Sequence, residues 1–242
     1  MASVDSSQAE AARFAASLIE SGMTIGLGSG STAELFVRRL AERIHDENLR
    51  IVGVSTSVST SELASSLGIT LAELDDVAEL DLDIDGADEV DPQFQMIKGR
   101  GGKLLREKIV AAAARQRMIV VTEAKRVDRL GRHFPVPVEV SSFGISHTER
   151  ALQALGAQTS IRTDADGSIV VTDGGNRIVD CRFVSIDDPL NLDIQLHRVP
   201  GVLETGIFVG LCDILIVGKR NDVVRIDNPA SKPPIAFHVK RS

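Results

Sequence analysis

A short buried strand passes directly into a glycine-rich loop and then into a helix near the start of the chain. Met23–Leu27 is apolar, the loop reads Gly-Ser-Gly-Ser-Thr, and Ala33–Arg43 carries apolar residues at helical spacing. This order predicts an α/β sheet. The loop offers backbone N–H groups and the hydroxyls of Ser29, Ser31 and Thr32 to an anion near a helix N-terminus; the alternative is a tight turn with a Ser or Thr cap.

Two nucleotide-binding motifs do not fit this loop. A dinucleotide fingerprint needs glycine at Ser31 and an acid after the next strand, but that strand, Ile51–Val54, is followed by Ser-Thr-Ser. A P-loop needs Gly-Lys before Ser or Thr, and the first lysine of the chain is Lys98. NAD and ATP are therefore set aside, and no cofactor is predicted. Ser55–Ser57 either adds hydroxyls at a strand end or caps the helix through Leu67, and capping is favoured.

The middle of the chain brings two acids to the end of a strand. Alternating apolar and acidic residues from Leu80 to Ile84 predict the strand, and Gly86 then permits a sharp turn. Asp85 and Asp88 therefore lie at the carboxyl end of this strand. Carboxyl ends of strands are where open α/β sheets bind their ligands.

A cation and a further acid follow. The apolar run Phe94–Ile97 predicts a second short strand that leads to Lys98, and Glu107 comes next on a helix. Three glycines in between allow the backbone to approach a ligand closely: Gly99, Gly101 and Gly102. Burial would raise the pKa of Glu107 while Lys98 or Arg106 would lower it, so the sequence leaves its direction open.

These four side chains supply two hydrogen-bonding carboxylates, one cation and one candidate general base. That set moves protons on a polyhydroxylated substrate without a metal. Taken singly, the aspartates fit an Asx-turn, Lys98 a surface cation, and Glu107 a helix-surface acid paired with Lys103. The combination favours a site, because the groups and the glycines are predicted at strand ends.

The composition limits the classes of partner. The chain has 242 residues, 43% of them hydrophobic, a net charge of −7 and no Tyr or Trp, which disfavours nucleic acid. Cys181 and Cys212 lack CxxC spacing, so neither a disulfide framework nor a cysteine zinc site is predicted. The N-terminal sequence does not resemble a secretion signal, and no stretch has the length of a membrane span. We therefore expect a cytoplasmic location and no membrane partner.

The other segments of the first part alternate between helix and strand patterns. Apolar residues at helical spacing before Gly22 predict a first helix, and Ile69–Leu74 predicts a strand. The helix of the central stretch is predicted to run to about Arg115 and is apolar on most of its circumference. Met118–Val121 predicts a buried strand, and Lys125 lies just beyond its end, where it meets either a phosphate or solvent.

The order of elements changes from about His133. The predicted elements are strand 136–140, helix His147–Leu155, strands Gln158–Ile161, Ile169–Val171 and Arg177–Cys181, helix Leu190–Val199 and strand Val202–Phe208. This βαββαβ-like order is typical of a split βαβ unit and predicts an inserted domain. Ile214–Val217 then predicts a strand that returns to the first domain, and the tail with Pro229, Pro233 and Pro234 is predicted to be irregular.

Four stretches give the sequence a specific resemblance. They are Gly26–Thr32 (GLGSGST), Asp85–Glu89 (DGADE), Lys98–Lys108 (KGRGGKLLREK) and Lys125–Asp128 (KRVD). Their order matches that of the type A ribose-5-phosphate isomerase family, and their spacings are compatible with it. The chain resembles that family over nearly its whole length. One of these motifs alone is weak evidence, whereas DGADE followed by KG, glycines and LREK is highly specific.

The resemblance implies a fold and an activity. The expected fold class is α/β, with a Rossmann-like three-layer catalytic domain (residues 1–131 and 206–242) and an inserted smaller α+β domain of split βαβ, ferredoxin-like type (132–205). The expected activity is reversible aldose–ketose isomerisation of D-ribose 5-phosphate and D-ribulose 5-phosphate through an enediol, in the non-oxidative pentose phosphate pathway. No cofactor or metal is implied, and a homodimer or homotetramer is expected.

The resemblance also implies residue roles. Glu107 would be the base, while Asp85, Asp88 and Lys98 would hold hydroxyls, assist ring opening and stabilise the enediolate oxygen. The implied substrate-binding positions are Ser29, Gly30, Ser31, Thr32, Asp85, Gly86, Ala87, Asp88, Lys98, Gly99, Arg100, Gly101 and Lys125.

The sequence departs from the family pattern at a few positions. Ser29 stands where threonine is common, and Gln8 lies near a position where relatives often have a phosphate-binding lysine. Arg100 and Lys103 stand where small residues are frequent, and they either reinforce anion binding or face solvent. None of these changes removes an implied catalytic group.

Three rival functions remain open from the sequence. A noncatalytic sugar-phosphate sensor could keep the glycine loop but would have no chemical need for Glu107 beside Lys98. The sequence also lacks a DNA-binding segment, which disfavours a repressor of that kind. An amino-sugar-phosphate deaminase would release ammonia, and a CoA transferase would form a glutamyl-CoA adduct.

Overall fold

A computed structural model describes residues 6–220 and 222–231. Within these ranges, no helix is both long enough and apolar enough to cross a membrane. The chain forms two compact units. The first unit contains the described parts of Met1–Gly86, Ile109–Ala124 and Gly210–Ser242, and the second unit contains Ala87–Lys108 and Lys125–Val209.

The elements follow one another along the chain with two short 3₁₀ turns, Leu74–Asp76 and Glu123–Lys125. In chain order they are α1 (Ser6–Ser17), β1 (Thr24–Leu27), α2 (Ser31–Glu47), β2 (Val52–Ser55), α3 (Val58–Ser66), β3 (Leu80–Asp85), β4 (Glu89–Val90), β5 (Met96–Ile97), α4 (Leu104–Ala113), β6 (Ala114–Thr122), β7 (Val136–Val140), α5 (Ile145–Ala154), β8 (Gln158–Ile161), β9 (Arg177–Arg182), α6 (Pro189–His197), β10 (Val202–Thr205), β11 (Ile207–Phe208), β12 (Ile214–Lys219) and β13 (Asp222–Asp227).

The first unit is built on a six-stranded sheet with the order β13-β12-β6-β3-β1-β2. All neighbouring strands are parallel except β13, which pairs antiparallel with β12. Because β1 lies between β2 and β3, the chain leaves β1 in one direction and later returns on its other side. The carboxyl ends of these three strands form the switch point at which sheets of this kind bind ligands.

Small residues let α1 lie close to this sheet. Ala11 and Ala15 are fully buried, and a Cβ on Gly218 of β12 would lie 2.0 Å from the Ser7 carbonyl oxygen, so only glycine fits there. On α2, Phe36 is also fully buried. Burial of an aromatic or branched aliphatic side chain of this size contributes about 1.5–3 kcal/mol, which holds the helices against the sheet.

The second unit contains a four-stranded antiparallel sheet with the order β10-β7-β9-β8. When the four strands of this sheet are numbered in chain order, the sheet order is 4-1-3-2. The elements from β7 to β10 follow one another as βαββαβ, so the predicted ferredoxin-like arrangement is confirmed. The predicted fold class, a parallel α/β sheet combined with a small α+β arrangement, is therefore also confirmed.

A three-stranded sheet, β11-β5-β4, completes the second unit. The predicted strand Val202–Phe208 is divided at Gly206, whose N–H donates to the Pro137 carbonyl at 2.7 Å. β10 before this glycine joins the four-stranded sheet, and β11 after it joins the three-stranded sheet, with Ile207 opposite Ile97.

Other predicted elements differ from the structure in extent. Ile69–Leu74 is not a strand, because only Leu71 forms a bridge, to Gly53, before the 3₁₀ turn begins. Ile169–Val171 is not a continuous strand either, since its two ends form isolated bridges with different partners. In Phe94–Ile97 only the last two residues are a strand, because Phe94 turns the chain at φ 60°.

Two boundaries near the ends of elements were also wrong. The central helix stops at Ala113 instead of Arg115, and the next strand takes up residues 114–122. The tail predicted to be irregular contains β13, whose residues lie opposite those of β12 in six antiparallel pairs. Pro229 follows this strand in a turn, while Pro233 and Pro234 lie outside the described residues.

The compact units have different limits from the predicted domains. Strands 136–140 and Ile214–Lys219 belong to separate sheets. The compact second unit also includes residues 87–108, 125–131 and 206–209, because β4, β5 and β11 form one sheet. The inserted domain with limits at 132 and 205 stays a prediction.

Candidate functional site

In the first unit, the glycine loop after β1 lies against the end of β3. A Cβ on Gly28 would be 2.2 Å from Asp85 Oδ1, so the loop reaches this position only with glycine. The same oxygen of Asp85 accepts hydrogen bonds from the N–H groups of Ser29 at 3.0 Å and Gly86 at 2.7 Å. Asp85 is 1% exposed, and these backbone donors fix its carboxylate at the strand end.

The three hydroxyls of the loop have neighbours of their own. Ser29 Oγ lies 2.6 Å from Thr56 Oγ1, and Ser31 and Thr32 are the first residues of α2. Gln8 Nε2 donates to both Ser31 Oγ and Thr32 Oγ1 at 2.8 Å. The loop therefore presents neutral donors and acceptors together with the N-terminus of α2, and Gly30 precedes this helix at φ 87°.

The polar stretch after β2 confirms the capping interpretation. Ser57 is the N-cap of α3, and its Oγ accepts the N–H of Thr60 at 3.1 Å. Thr60 Oγ1 donates in turn to the carbonyl oxygen of Gly28 at 3.0 Å. These residues support the glycine loop from the inside of the unit.

In the second unit, Lys98 and Glu107 form a buried ion pair. Lys98 Nζ lies 3.3 Å from Glu107 Oε2, and the two side chains are 5% and 6% exposed. A buried charge pair loses solvation that its mutual attraction recovers only in part, so it is weak evidence for stability. Such a pair is a candidate for chemistry that creates or moves charge.

The backbone around this pair is held in place by the short strands. The Lys98 N–H donates to the Gly206 carbonyl at 2.9 Å, and the Asp88 N–H donates to Ile97 at 2.8 Å. Asp88 Oδ2 accepts the N–H of Arg100 at 3.0 Å. Gly99 has φ 99°, which an L side chain rarely adopts, so the glycine lets the chain turn sharply after Lys98.

Two predicted binding residues share one aromatic ring. The Arg100 guanidinium carbon and Lys125 Nζ lie 4.8 and 5.0 Å from the centre of the Phe134 ring. Arg100 is exposed and lines a cavity of about 280 Å³ with Asp88, Phe134 and Arg162. The other predicted positions of this unit, Ala87 and Gly101, lie beside these groups in the sequence.

Sequence reasoning missed several residues that shape this region. Arg162 pairs with Asp180 and donates from Nη1 to the carbonyls of Gly99 and Arg100 at 2.8 Å, so it supports the glycine turn. Glu89 is fully buried and accepts backbone N–H groups of the segment that carries Phe134. Glu89 stood within the DGADE motif, whereas no sequence pattern marked Arg162.

One group of three side chains among residues 6–220 and 222–231 has ligand atoms close enough for a metal ion: Asp193, His197 and Glu204. The Lys108 ammonium already lies 2.6 Å from Glu204 Oε1 and 4.0 Å from Asp193 Oδ1. A resident cation thus neutralises these carboxylates, and the donor set does not fit a divalent metal in addition.

The fold corresponds to that of solved ribose 5-phosphate isomerases. A D-ribose-5-phosphate isomerase in complex with phospho-erythronic acid is 40% identical and superimposes with a TM-score of 0.89, covering 93% of this chain and 99% of that chain. Ribose 5-phosphate isomerase A from Methanocaldococcus jannaschii is 39% identical with a TM-score of 0.87, covering 91% and 98%.

Sequence comparison defines the family. The family described as ribose 5-phosphate isomerase A (phosphoriboisomerase A) matches residues 52–222. Ribose-5-phosphate isomerase A from Thermomicrobium roseum is 48% identical over 214 residues, which cover 88% of this chain and 90% of the relative. The chain belongs to the ribose 5-phosphate isomerase A family, and the resemblance inferred from four motifs is confirmed.

Proposed function

We propose that this chain catalyses the reversible interconversion of D-ribose 5-phosphate and D-ribulose 5-phosphate through an enediol, as a step of the non-oxidative pentose phosphate pathway. Membership of an aldose–ketose isomerase family supports this reaction. The observation that carries the mechanism is the buried pair formed by Lys98 and Glu107 at 3.3 Å. It joins a carboxylate that can accept a proton to a fixed cation.

Glu107 is the general base of the proposed reaction. Its carboxylate takes the proton from C2 of the open-chain aldose, and the electrons of that C–H bond form the C1–C2 double bond while O1 gains negative charge. A proton then passes from O2 to O1, and Glu107 returns its proton to C1, which leaves O2 as the ketone oxygen. Glu107 ends each turnover ionised, as it began, so the proton transfers balance without a further acid or base.

Lys98 stabilises the oxygen that becomes negative. In the resting pair its ammonium balances the Glu107 carboxylate. When Glu107 takes up a proton, its negative charge disappears and a new one develops on the substrate oxygen. A fixed ammonium of low exposure favours that shift of charge, because little solvent must reorganise around it.

Asp85 and Asp88 act before the proton transfer. Opening of the furanose moves the O1 proton to the ring oxygen as the C1–O4 bond breaks, and carboxylates assist such a transfer. Asp85 accepts the N–H groups of Ser29 and Gly86, and Asp88 accepts that of Arg100, which orients both carboxylates for substrate hydroxyls.

The glycine loop and Lys125 hold the rest of the substrate in this proposal. Ser29, Ser31 and Thr32 provide hydroxyls at a helix N-terminus, which suits a phosphate group. Lys125 Nζ adds a cation that is held against Phe134. Gln8 supplies an amide donor to Ser31 and Thr32 instead of a charge, and the remaining binding contacts come from the glycine turn after Lys98.

The quaternary state and location follow from the same proposal. We expect a homodimer or homotetramer in the cytoplasm, and size-exclusion chromatography with light scattering measures the first. A molar mass near 26 kDa, the mass of one chain, would contradict the expected assembly.

A product assay separates this function from its rivals. The purified chain is incubated with ribose 5-phosphate, and ribulose 5-phosphate is followed by a ketose-specific signal. Parallel reactions with an amino-sugar phosphate and with an acyl-CoA test for ammonia and for a glutamyl-CoA adduct. Ketose formation in the first reaction alone supports the proposal, whereas binding without turnover would indicate a sensor.

A further inference from the structure

Lys108 follows Glu107 on α4, and its ammonium is bound within the second unit. It donates to Glu204 Oε1 at 2.6 Å and to the carbonyl oxygens of Thr205 and Ile207, each at 2.8 Å. An ammonium carries three N–H donors, so these three acceptors saturate it. Because Thr205 and Ile207 stand on either side of Gly206, Lys108 clamps the turn between β10 and β11.

The residue inside this turn holds the backbone of Lys98. The Gly206 carbonyl accepts the Lys98 N–H at 2.9 Å, and a Cβ on Gly206 would lie 2.3 Å from the Lys98 carbonyl oxygen. The next strand carries Phe208, which is 1% exposed. The centre of its ring lies 5.4 Å from Lys98 Nζ and 4.7 Å from Lys108 Nζ. The turn therefore touches Lys98 at both its backbone and its side chain.

The acidic neighbours of Lys108 keep the clamp in one arrangement. Glu204 Oε1 also accepts the Thr205 N–H at 2.7 Å and lies 3.0 Å from His197 Nε2. Asp193 accepts the Thr205 hydroxyl, and that hydroxyl accepts the Ile207 N–H at 3.2 Å. Loss of the ammonium would remove one donor from the half-buried Glu204 carboxylate and one from each of the two carbonyls, which is costly at low exposure.

We propose that Lys108 is a positioning residue for Lys98, an inference that rests on the proposed function. Glu107 and Lys108 are consecutive residues of α4. This helix therefore carries the base itself, and through Lys108 it fixes the β10–β11 turn and Phe208, which contact Lys98. This coupling sets the 3.3 Å separation of the Lys98 and Glu107 side chains. Misplacement of a catalytic group by about 1 Å can lower turnover by roughly 100-fold.

The test is a double-mutant cycle in kcat. Lys108→Met removes the ammonium but keeps most of the side-chain volume, and we expect kcat for ribose 5-phosphate to fall by roughly 10- to 100-fold while KM changes by less than about threefold. In a Lys98→Met background, the same change should lower kcat by no more than about twofold, because the residue it positions is already gone. Lys108→Arg keeps a cation there and should recover part of the loss.

A destabilising control separates positioning from general damage. Leu152→Ala removes buried apolar contacts on α5 in the same unit and alters none of the residues that bond the Lys108 ammonium. If thermal unfolding shows that Leu152→Ala is destabilised as much as Lys108→Met, Leu152→Ala should still retain kcat within about threefold of the unmodified chain. If Lys108→Met does not fold, Glu204→Gln weakens one of the three bonds, and a kcat loss that vanishes in the Lys98→Met background supports the same inference.

The inference fails if Lys108→Met keeps the kcat of the unmodified chain, or if it lowers kcat by the same factor with and without Lys98. Failure of the proposed function has a different signature. In that case the unmodified chain itself forms no ribulose 5-phosphate.

Discussion

The two compact units present their predicted site residues in opposite ways. In the first unit, neutral hydroxyls and backbone N–H groups surround one carboxylate, Asp85, which those N–H groups hold. In the second unit, Lys98 and Glu107 are charged and almost fully buried, and Arg100 and Lys125 stack on one ring. The first set offers hydrogen bonds that cost little to form, and the second contains one charge pair that is kept out of water.

This difference predicts different kinetic roles. Hydroxyls and N–H groups contact a phosphate or sugar oxygen equally well in the ground state and in the transition state, so their loss raises KM. Buried charges act on charge that appears only during reaction, so their loss lowers kcat. Substitutions in each unit can break this division.

Glu107→Gln should have the largest effect. It preserves shape and removes the oxygen that must take a carbon-bound proton, so we expect kcat to fall by ~10²–10⁴, or about 3–5 kcal/mol of barrier, with much less change in KM. Steady-state kinetics with ribose 5-phosphate measure it. The matched control is Glu139→Gln, another buried carboxylate of the same unit that is held by Thr172 and Asn176. Normal turnover of Glu107→Gln would move the base to Asp85 or Asp88.

Lys98→Met should come next. Loss of one preorganised oxyanion stabiliser lowers kcat by roughly 10²–10³, and Met preserves much of the packing against Phe208. Lys219→Met, at a half-exposed lysine of the first unit, serves as the control. A raised KM with unchanged kcat would show that Lys98 only binds substrate.

Thr32→Val tests the first unit with a smaller effect. It removes one hydroxyl at the start of α2 and keeps the side-chain shape, so a lost hydrogen bond to a charged phosphate should raise KM by roughly 10-fold. We expect kcat to stay within about threefold of that of the unmodified chain, in contrast with Glu107→Gln and Lys98→Met. A fall in kcat at constant KM would remove the distinction between the units.

The smallest effect concerns the buried thiols, one in each unit. Burial raises the pKa of Cys181 to about 12, and burial likewise raises the pKa of Cys212. We expect neither thiol to react with iodoacetamide at pH 8 in the folded chain, and both to react after denaturation. Mass spectrometry after brief exposure checks this, and rapid labelling of one thiol alone would show that its unit opens.

The same shift gives a pH dependence of stability. The thiol of Cys181 has an ordinary pKa of 9.0 and a higher one in the folded chain, so only the unfolded state releases this proton just above pH 9. Its contribution to the free energy of unfolding is complete below pH 9 and is lost as the pH rises towards 12. The free energy of unfolding, measured with denaturant, should therefore fall less steeply with pH in this range for Cys181→Ala than for the unmodified chain.

Sequence patterns predicted the strand-end acids and the lysine because their neighbours are local. Gly86 marks the end of Leu80–Asp85 in the sequence, and the alternation of that strand is visible without any partner. Lys98 and Glu107 were predicted as members of one site. Their 3.3 Å separation depends on the pairing of β5 with β11, which is 110 residues distant along the chain, from Ile97 to Ile207.

The missed features depend on distant partners. Phe134, Arg162 and Phe208 have no motif, because each acquires its role from a residue that is distant in the sequence. Gly206 could have been noticed as a break in an apolar run, since glycine inside a strand pattern often marks a close backbone approach. The short strands were overestimated because a few apolar residues cannot show whether a partner continues the ladder.

Proton exchange with solvent measures the chemistry of the Lys98–Glu107 pair most directly. Ribose 5-phosphate is incubated with the chain in deuterated water, and ketose formation and deuterium at C1 and C2 are followed by NMR. An enediol mechanism predicts deuterium in product or recovered substrate, and loss of both ketose and label in Glu107→Gln. Ketose formation without any deuterium uptake, or uptake that persists in Glu107→Gln, would contradict the assignment of Glu107 as the base.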